Sequence, residues 1–223
     1  MSSRVVAIDG PAGSGKSTTA QAVAERLGLP HVESGALYRA VTLAALDAAV
    51  PLVGGRLVGL ARSLPIRLHV TATGFRPEVA GADVSQAIRA ERVTDRVSEV
   101  AAIAEVRRWV NEEVRAAVAR HPRGAVLEGR DIGTVVFPDA VVKVFLTARP
   151  EERARRRLLQ EERGSSAEAV RAESEELARR DHLDSTRSVA PLRQHPDALV
   201  VDTTELSFEE QVERIVAAAR NYF

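Results

Sequence analysis

Val5, Val6, Ala7 and Ile8 form an unbroken apolar run; further strand candidates are the short Pro30-His31-Val32-Glu33, 125–128, 141–146 (broken only by Lys143) and 198–202. Runs of this length, bounded by turn residues, read as strands buried on both faces. Between them the apolar period lengthens to that of a helix. Ala20, Val23, Ala24 and Leu27 mark one such face, with Gly28 and Pro30 as stop signals. Leu37, Ala40, Val41, Ala44, Ala45 and Ala48 mark a second. Val212, Ile215, Val216 and Ala219 mark the last, opened by the capping box Ser207-Phe208-Glu209-Glu210. Pro51 to Gly59 reads as loop and a short helix. From Leu64 the period changes to two: Ile66, Leu68 and Val70 alternate with Arg67 and His69, and Gly74 and Gly81 punctuate the next stretch of chain. Residues 64–84 therefore predict a small antiparallel meander. Helical segments resume near 85 and run to about 120. Pro150 opens a highly charged helix, Gly164-Ser165-Ser166 interrupts it, and a second charged helix leads to Asp181, with an irregular stretch before the last strand. Five apolar strands separated by helices predict an α/β fold with a parallel sheet covered on both faces.

Composition narrows the class. The chain has 223 residues, 45% hydrophobic and 28% charged, enough for one sizeable core. Its formal net charge is zero, which argues against a nucleic-acid coat or a membrane-surface protein. Without cysteine there are neither disulfides nor thiolate metal sites, and the five histidines show no paired-ligand spacing. No apolar run approaches spanning length. Met1 to Arg4 lead directly into the first strand, leaving no room for a signal peptide. The expectation is a cytoplasmic monomer acting on small molecules, with no nucleic-acid or membrane partner.

Of 31 basic residues only Lys16 and Lys143 are lysine. Lys16 lies in Gly10-Pro11-Ala12-Gly13-Ser14-Gly15-Lys16-Ser17-Thr18, which fits G-x-x-x-x-G-K-[ST] between a strand and a helix. Glycines let successive backbone N–H groups turn around an anion, and the helix aims its positive end at the same point. Lys16 is a flexible point charge for the outer phosphates, and the Ser17 hydroxyl suits Mg²⁺. The pattern signals a nucleoside triphosphate, ATP being the expected donor.

What accompanies that loop decides its use. The guanine-reading N-K-x-D pattern is absent, and Asp131-Ile132-Gly133-Thr134 has the wrong spacing for a D-x-x-G switch. Arginines instead gather at strand ends and loops: Arg39, Arg130 beside Asp131, and Arg180 and Arg187 flanking Asp184. Ligands of open α/β sheets bind beyond the carboxyl ends of strands, where Arg130 lies. Guanidinium forks there suit a second phosphorylated substrate. Arg153, Arg156 and Arg157 share a helix face. Alone that face reads as solvated, with Glu152 pairing Arg156 and Glu151 pairing Arg155. Beside a phosphate loop it reads as a lid that excludes water from the transferring phosphoryl group.

IDGPAGSGKST, SGALYR, EGRDIGTVVFPDA, EERARRR and RRDHLDSTRSVAPL occur in that order. In these blocks the chain resembles the nucleoside monophosphate kinases, and more closely the bacterial cytidylate kinases. The resemblance implies a three-layer P-loop fold. Its core would span 1–34, 101–148 and 182–223, its nucleoside-monophosphate region with the antiparallel insertion 35–100, and its helical lid 149–181. It further implies transfer of the γ-phosphoryl of ATP to CMP or dCMP with Mg²⁺. Arg39, Arg130 and Arg187 would hold the acceptor phosphate, and Arg180 and Asp184 the sugar. Ser98, Arg107 and Asp131 would read the base, Ser34 would also line the acceptor site, and Arg153 and Arg157 would close from the lid. Ser17 replaces a glycine of some relatives and leaves Thr18 as an additional hydroxyl near the metal. Cytosine offers an amino donor where uracil offers a carbonyl, so a carboxylate at Asp131 favours CMP over UMP. The competing readings are a kinase of another small acceptor (UMP, AMP or shikimate) and a non-enzymatic ATP-binding switch.

Overall fold

The computed structural model describes residues 3–223. A parallel sheet is built from β1 (Ser3–Asp9), β2 (His31–Glu33), β6 (Ala125–Gly129), β7 (Ala140–Thr147) and β8 (Leu199–Asp202), ordered β2-β6-β1-β7-β8. All five strands fall where the apolar runs place them. In β1 the unbroken run serves two cores at once. Val5 and Ala7 face the cluster containing Leu37, Val41, Val110 and Leu127, whereas Val6 and Ile8 face the one containing Val23, Val144 and Ile215. A strand buried on both faces needs no polar alternation, which is why its sequence shows none.

The second cluster is roofed by α1 (Lys16–Leu27) and α9 (Phe208–Ala219), the latter started by the reciprocal Ser207/Glu210 capping box. The first cluster lies under α2 (Gly35–Asp47), α3 (Gly54–Ser63) and the later α6 (Ala104–Ala119). Between them the meander appears as an antiparallel sheet of β3 (Ile66–Val70), β4 (Phe75–Val79) and β5 (Ala82–Asp83), in register Ile66↔Val79 and Leu68↔Pro77. The carboxyl end of the main sheet is flanked by α7 (Pro150–Gln160) and α8 (Ala167–Thr186). Among the described residues no helix is long and apolar enough to cross a membrane.

The helical segments expected over 85–120 are a 3₁₀ turn at Ala87–Arg89, α4 (Glu91–Thr94), α5 (Val97–Ala102) and α6. Other details correct the sequence reading. Ala48 is exposed because α2 has already ended at Asp47. The second charged helix continues past Asp181 to Thr186, so Arg180 and Asp184 are helical and Arg187 is its C-cap. Its last turns present polar side chains to a polar cleft, so apolar periodicity could not reveal them. In β8 only Val201 is buried, because this strand is an edge.

Candidate active site

The loop after β1 is shaped by two glycines that nothing else replaces. Gly10 has φ +154°, and a Cβ there would lie 2.0 Å from the Leu146 carbonyl oxygen of β7. Gly15 has φ +87° and caps α1 in the left-handed region. Lys16 is thereby folded back into the loop, its Nζ donating to the Pro11 carbonyl at 2.6 Å and facing Ser14 Oγ at 3.4 Å. Burial, reinforced by the nearby Arg130 guanidinium, pulls the Lys16 pKa down to about 7, against Glu128, Asp181 and Asp9. This ammonium is short of counter-charge.

Behind the loop, Ser17 Oγ donates to Glu128 Oε2 at 2.8 Å, and Glu128 Oε1 lies 3.0 Å from His31 Nε2. Burial opposes ionisation of Glu128, but His31, Lys16 and the Ser17 hydroxyl outweigh it and hold the carboxyl below its usual range. Thr18 Oγ1 turns back to the Gly15 carbonyl at 3.0 Å. Asp9 closes β1 by accepting the Ile132 and Gly133 amides, each at 2.8 Å, and so fixes the turn that carries Arg130 and Asp131. Burial pushes its carboxyl up to about 6 despite those bonds.

Opposite the loop stands a wall of alternating charges. Arg107 of α6 donates to Asp131 Oδ2 at 2.5 Å and to the Ala101 carbonyl at 2.9 Å, with its guanidinium 5.3 Å from the centre of the Tyr38 ring. Arg187 approaches the other Asp131 oxygen at 3.7 Å and Asp184 at 3.5 Å, and Arg130 Nε donates to Asp184 Oδ2 at 2.8 Å. Arg39 of α2 is braced by the Ile88 carbonyl and the Thr94 hydroxyl. Burial, helped by Arg180, Arg89 and Arg157 and opposed by Glu33, lowers its pKa to about 10. Burial, Arg130 and Arg157 likewise lower that of Arg180. Buried guanidiniums that also repel one another favour binding of an anion between them. The buried Arg107 Nε, Arg187 Nη2 and Tyr38 hydroxyl have no hydrogen-bond partner.

Loop and wall face each other across a cavity of about 500 Å³. All the residues singled out from the sequence line it except Gly10, Pro11, Ser14 and Arg153. Gly10, Pro11 and Ser14 shape the loop from behind. Ser98 of α5 reaches the cavity, whereas the Ser34 hydroxyl is spent on the Glu128 carbonyl at 3.0 Å. Arg157 reaches it while paired to Glu161 at 2.6 Å and Glu173 at 3.3 Å. Arg153 points the other way, to the Ala12 carbonyl and Asp181. Arg156 lines the cavity and is held by Thr203 as well as by Glu152 at 3.0 Å, and Arg155 approaches Glu152 rather than Glu151. Asp9, Tyr38 and Asp181 carry no sequence signal of their own. Asp9 reads as the tail of an apolar strand, and Tyr38 and Asp181 fall within motifs whose arginines draw attention first.

The Cytidylate kinase family model matches residues 6–221. A cytidylate kinase of Shouchella clausii is 46% identical over 219 residues, covering 97% of this chain and 96% of that protein. That of Geobacillus kaustophilus is 46% identical over 212 residues, with 95% and 94% covered, and that of Mycobacterium avium 45% over 213, with 95% and 92%. Matches of this extent take in the loop, the inserted sheet and the arginine wall together, and they make the chain a member of the cytidylate kinase family of phosphotransferases.

Proposed function

We propose that this enzyme transfers the γ-phosphoryl group of ATP to CMP and dCMP, giving ADP with CDP or dCDP. The observation that carries the reading is the pairing across one cavity of two unlike anion sites. One is an amide cradle with a buried ammonium, the other a cluster of guanidiniums. A nucleoside triphosphate and a nucleoside monophosphate are the two ligands that satisfy both. A phosphate oxygen of the acceptor attacks the γ-phosphorus, the bond to the β–γ bridging oxygen breaks, and that electron pair leaves with ADP. The nucleophile is already an oxyanion, so no dedicated general base is needed and rate comes from alignment and charge stabilisation. Lys16 and the lid arginine Arg157 stabilise the transferring group, while Arg39, Arg130 and Arg187 fix the acceptor phosphate.

The base is read by hydrogen-bond complementarity. Asp131 spends one oxygen on Arg107 and keeps lone pairs for an exocyclic amino group. The unpartnered Arg107 Nε is a donor for pyrimidine acceptors, and Ser98 serves either role. Asp184, between Arg130 and Arg187, offers its remaining acceptor capacity to a sugar hydroxyl.

The residues present fit Mg²⁺. Among the described residues no group of three or more His, Cys, Asp or Glu forms a self-sufficient metal site. Mg²⁺ beside nucleotide phosphates needs only one or two protein oxygens, and Ser17 Oγ backed by Glu128 supplies them. Held there, Mg²⁺ would supply neutralisation of the donor's phosphate charge.

The deciding experiment is coupled ADP release with CMP, dCMP, UMP and AMP as acceptors. CMP and dCMP should give the highest kcat/KM. Preference for AMP, or no ADP release with any acceptor, would overturn the proposal.

A further inference from the structure

Ala12 belongs to the phosphate loop, yet its side chain sits in a small apolar cluster whose other buried members, Ala154, Leu158, Val170 and Leu177, come from α7 and α8. The same helices hold its backbone. The Ala12 amide donates to Asp181 Oδ1 at 3.1 Å, and Arg153 Nη1 donates to the Ala12 carbonyl at 2.9 Å. Arg153 Nη1 also donates to Asp181 Oδ2, closing a ring of three contacts. Arg153 is 8% exposed and Asp181 20%, so the ring is shielded from water. Its bonds fix two consecutive peptide planes, the one before Ala12 and the one after. In a trans peptide the carbonyl and the following N–H point in opposite directions. Tying the Ala12 carbonyl to Arg153, outside the cavity lining, therefore turns the Gly13 amide the other way, and Gly13 lines the cavity.

We infer that Asp181 and Arg153 are positioning residues: they lock the Ala12 peptides so that the Gly13 amide stays aimed at the donor phosphates, and they couple that aim to the packing of α7 on α8. This rests on reading the loop as the donor cradle.

The test measures ADP affinity by titration calorimetry without acceptor, and KM for ATP and CMP in turnover, for Asp181→Ala, Asp181→Asn and Arg153→Lys. In Asp181→Ala, ADP affinity should fall about tenfold and the KM for ATP should rise to match, in line with losing a charge-assisted hydrogen bond. The KM for CMP should move by less than about twofold on the same reasoning. Asp181→Asn keeps an oxygen for the Ala12 amide and should recover most of the loss. Arg153→Lys cannot serve two partners in one plane and should weaken ADP while leaving the KM for CMP little changed. ADP affinity unchanged in Asp181→Ala, or a loss shared equally by ATP and CMP, would overturn the inference. Should Asp181→Ala fail to fold, the other two variants decide by the same comparison. A wild-type chain that binds ADP but leaves CMP unphosphorylated would sink the proposed function alone, because the ADP comparison involves no acceptor.

Discussion

Asp131 and Arg107 are paired at 2.5 Å with both side chains nearly inaccessible, 6% and 3% exposed. With the base-reading role proposed for Asp131, a buried pair of this kind ties specificity to stability. Removing one partner strands a charge in a low-dielectric setting, at a cost of roughly 3–5 kcal/mol. Asp131→Ala should therefore lose about that much in urea unfolding. Asp131→Asn nearly preserves shape but presents an amide in place of the carboxylate. Its kcat/KM ratio for CMP over UMP should fall by about tenfold or more, the scale of one base-reading contact. A ratio equal to wild type would remove Asp131 from base selection.

The role proposed for Lys16 makes nucleotide binding depend on pH. In the free enzyme burial and Arg130 bring its proton loss down to about pH 7, whereas bound phosphates favour the ammonium. ADP binding must then take up a proton wherever free Lys16 is neutral. Affinity should weaken from neutral pH upward, by at most about tenfold per pH unit. Calorimetry at about pH 9 in two buffers of unlike ionisation enthalpy should show uptake approaching one proton; zero uptake would contradict it.

The same residue sets a stability trend of opposite sense. A lysine whose folded pKa is depressed penalises the fold fully below about pH 7, and the penalty fades as pH rises toward the unfolded value of about 10.4. Lys16→Met should melt higher than wild type at about pH 6, with the gap closing toward pH 10. Turnover of that variant should drop about 10²–10³-fold or more.

Arg180 pairs a place in the cavity lining with an unfavourable setting, since burial, Arg130 and Arg157 all work against its charge. Arg180→Met should be at least as stable as wild type in thermal melts, while the KM for CMP rises about tenfold or more. A destabilised variant with unaltered KM would assign Arg180 a structural role instead.

Gly10→Ala places a methyl group 2.0 Å from the Leu146 carbonyl at a φ of +154°. Backbone strain of this type costs about 1–3 kcal/mol, to which the collision with β7 adds. Unfolding free energy should fall by at least that amount, and ADP affinity should fall with it because the loop starts at this residue.

The parts of the fold legible in the sequence were those where one environment covers a whole segment. Val5 to Ile8 are buried on both faces, Val141 to Leu146 alternate between buried and half-buried, and Ile66 to Val70 are buried on one face, so their patterns announce strands directly. The end of α8 was not legible, because Arg180, Asp184 and their neighbours face a cleft where polar side chains pair with each other rather than with an apolar layer. Among site residues, the loop motif placed Lys16 and Ser17 outright, since its chemistry fixes the spacing. Arg153 and Arg157 look equivalent at i and i+4, yet one turns to Ala12 and Asp181 while the other faces the cavity. Spacing on a helix specifies a face, and the 8% exposure of Arg153 arises from α8 packing beside it, a long-range contact with no local signature.

The added sheet of β3, β4 and β5 has consequences beyond its size. Ile66 and Leu68 share their apolar surroundings with Leu37 of α2 and Val110 of α6, so this hairpin borrows its interior from the body of the molecule. It is upholstery rather than an appendage. A shortened chain lacking 64–84 would open the apolar surroundings of Leu37 and Val110 to water, and α2, the helix that bears Arg39, would lose support before the phosphate loop felt any change.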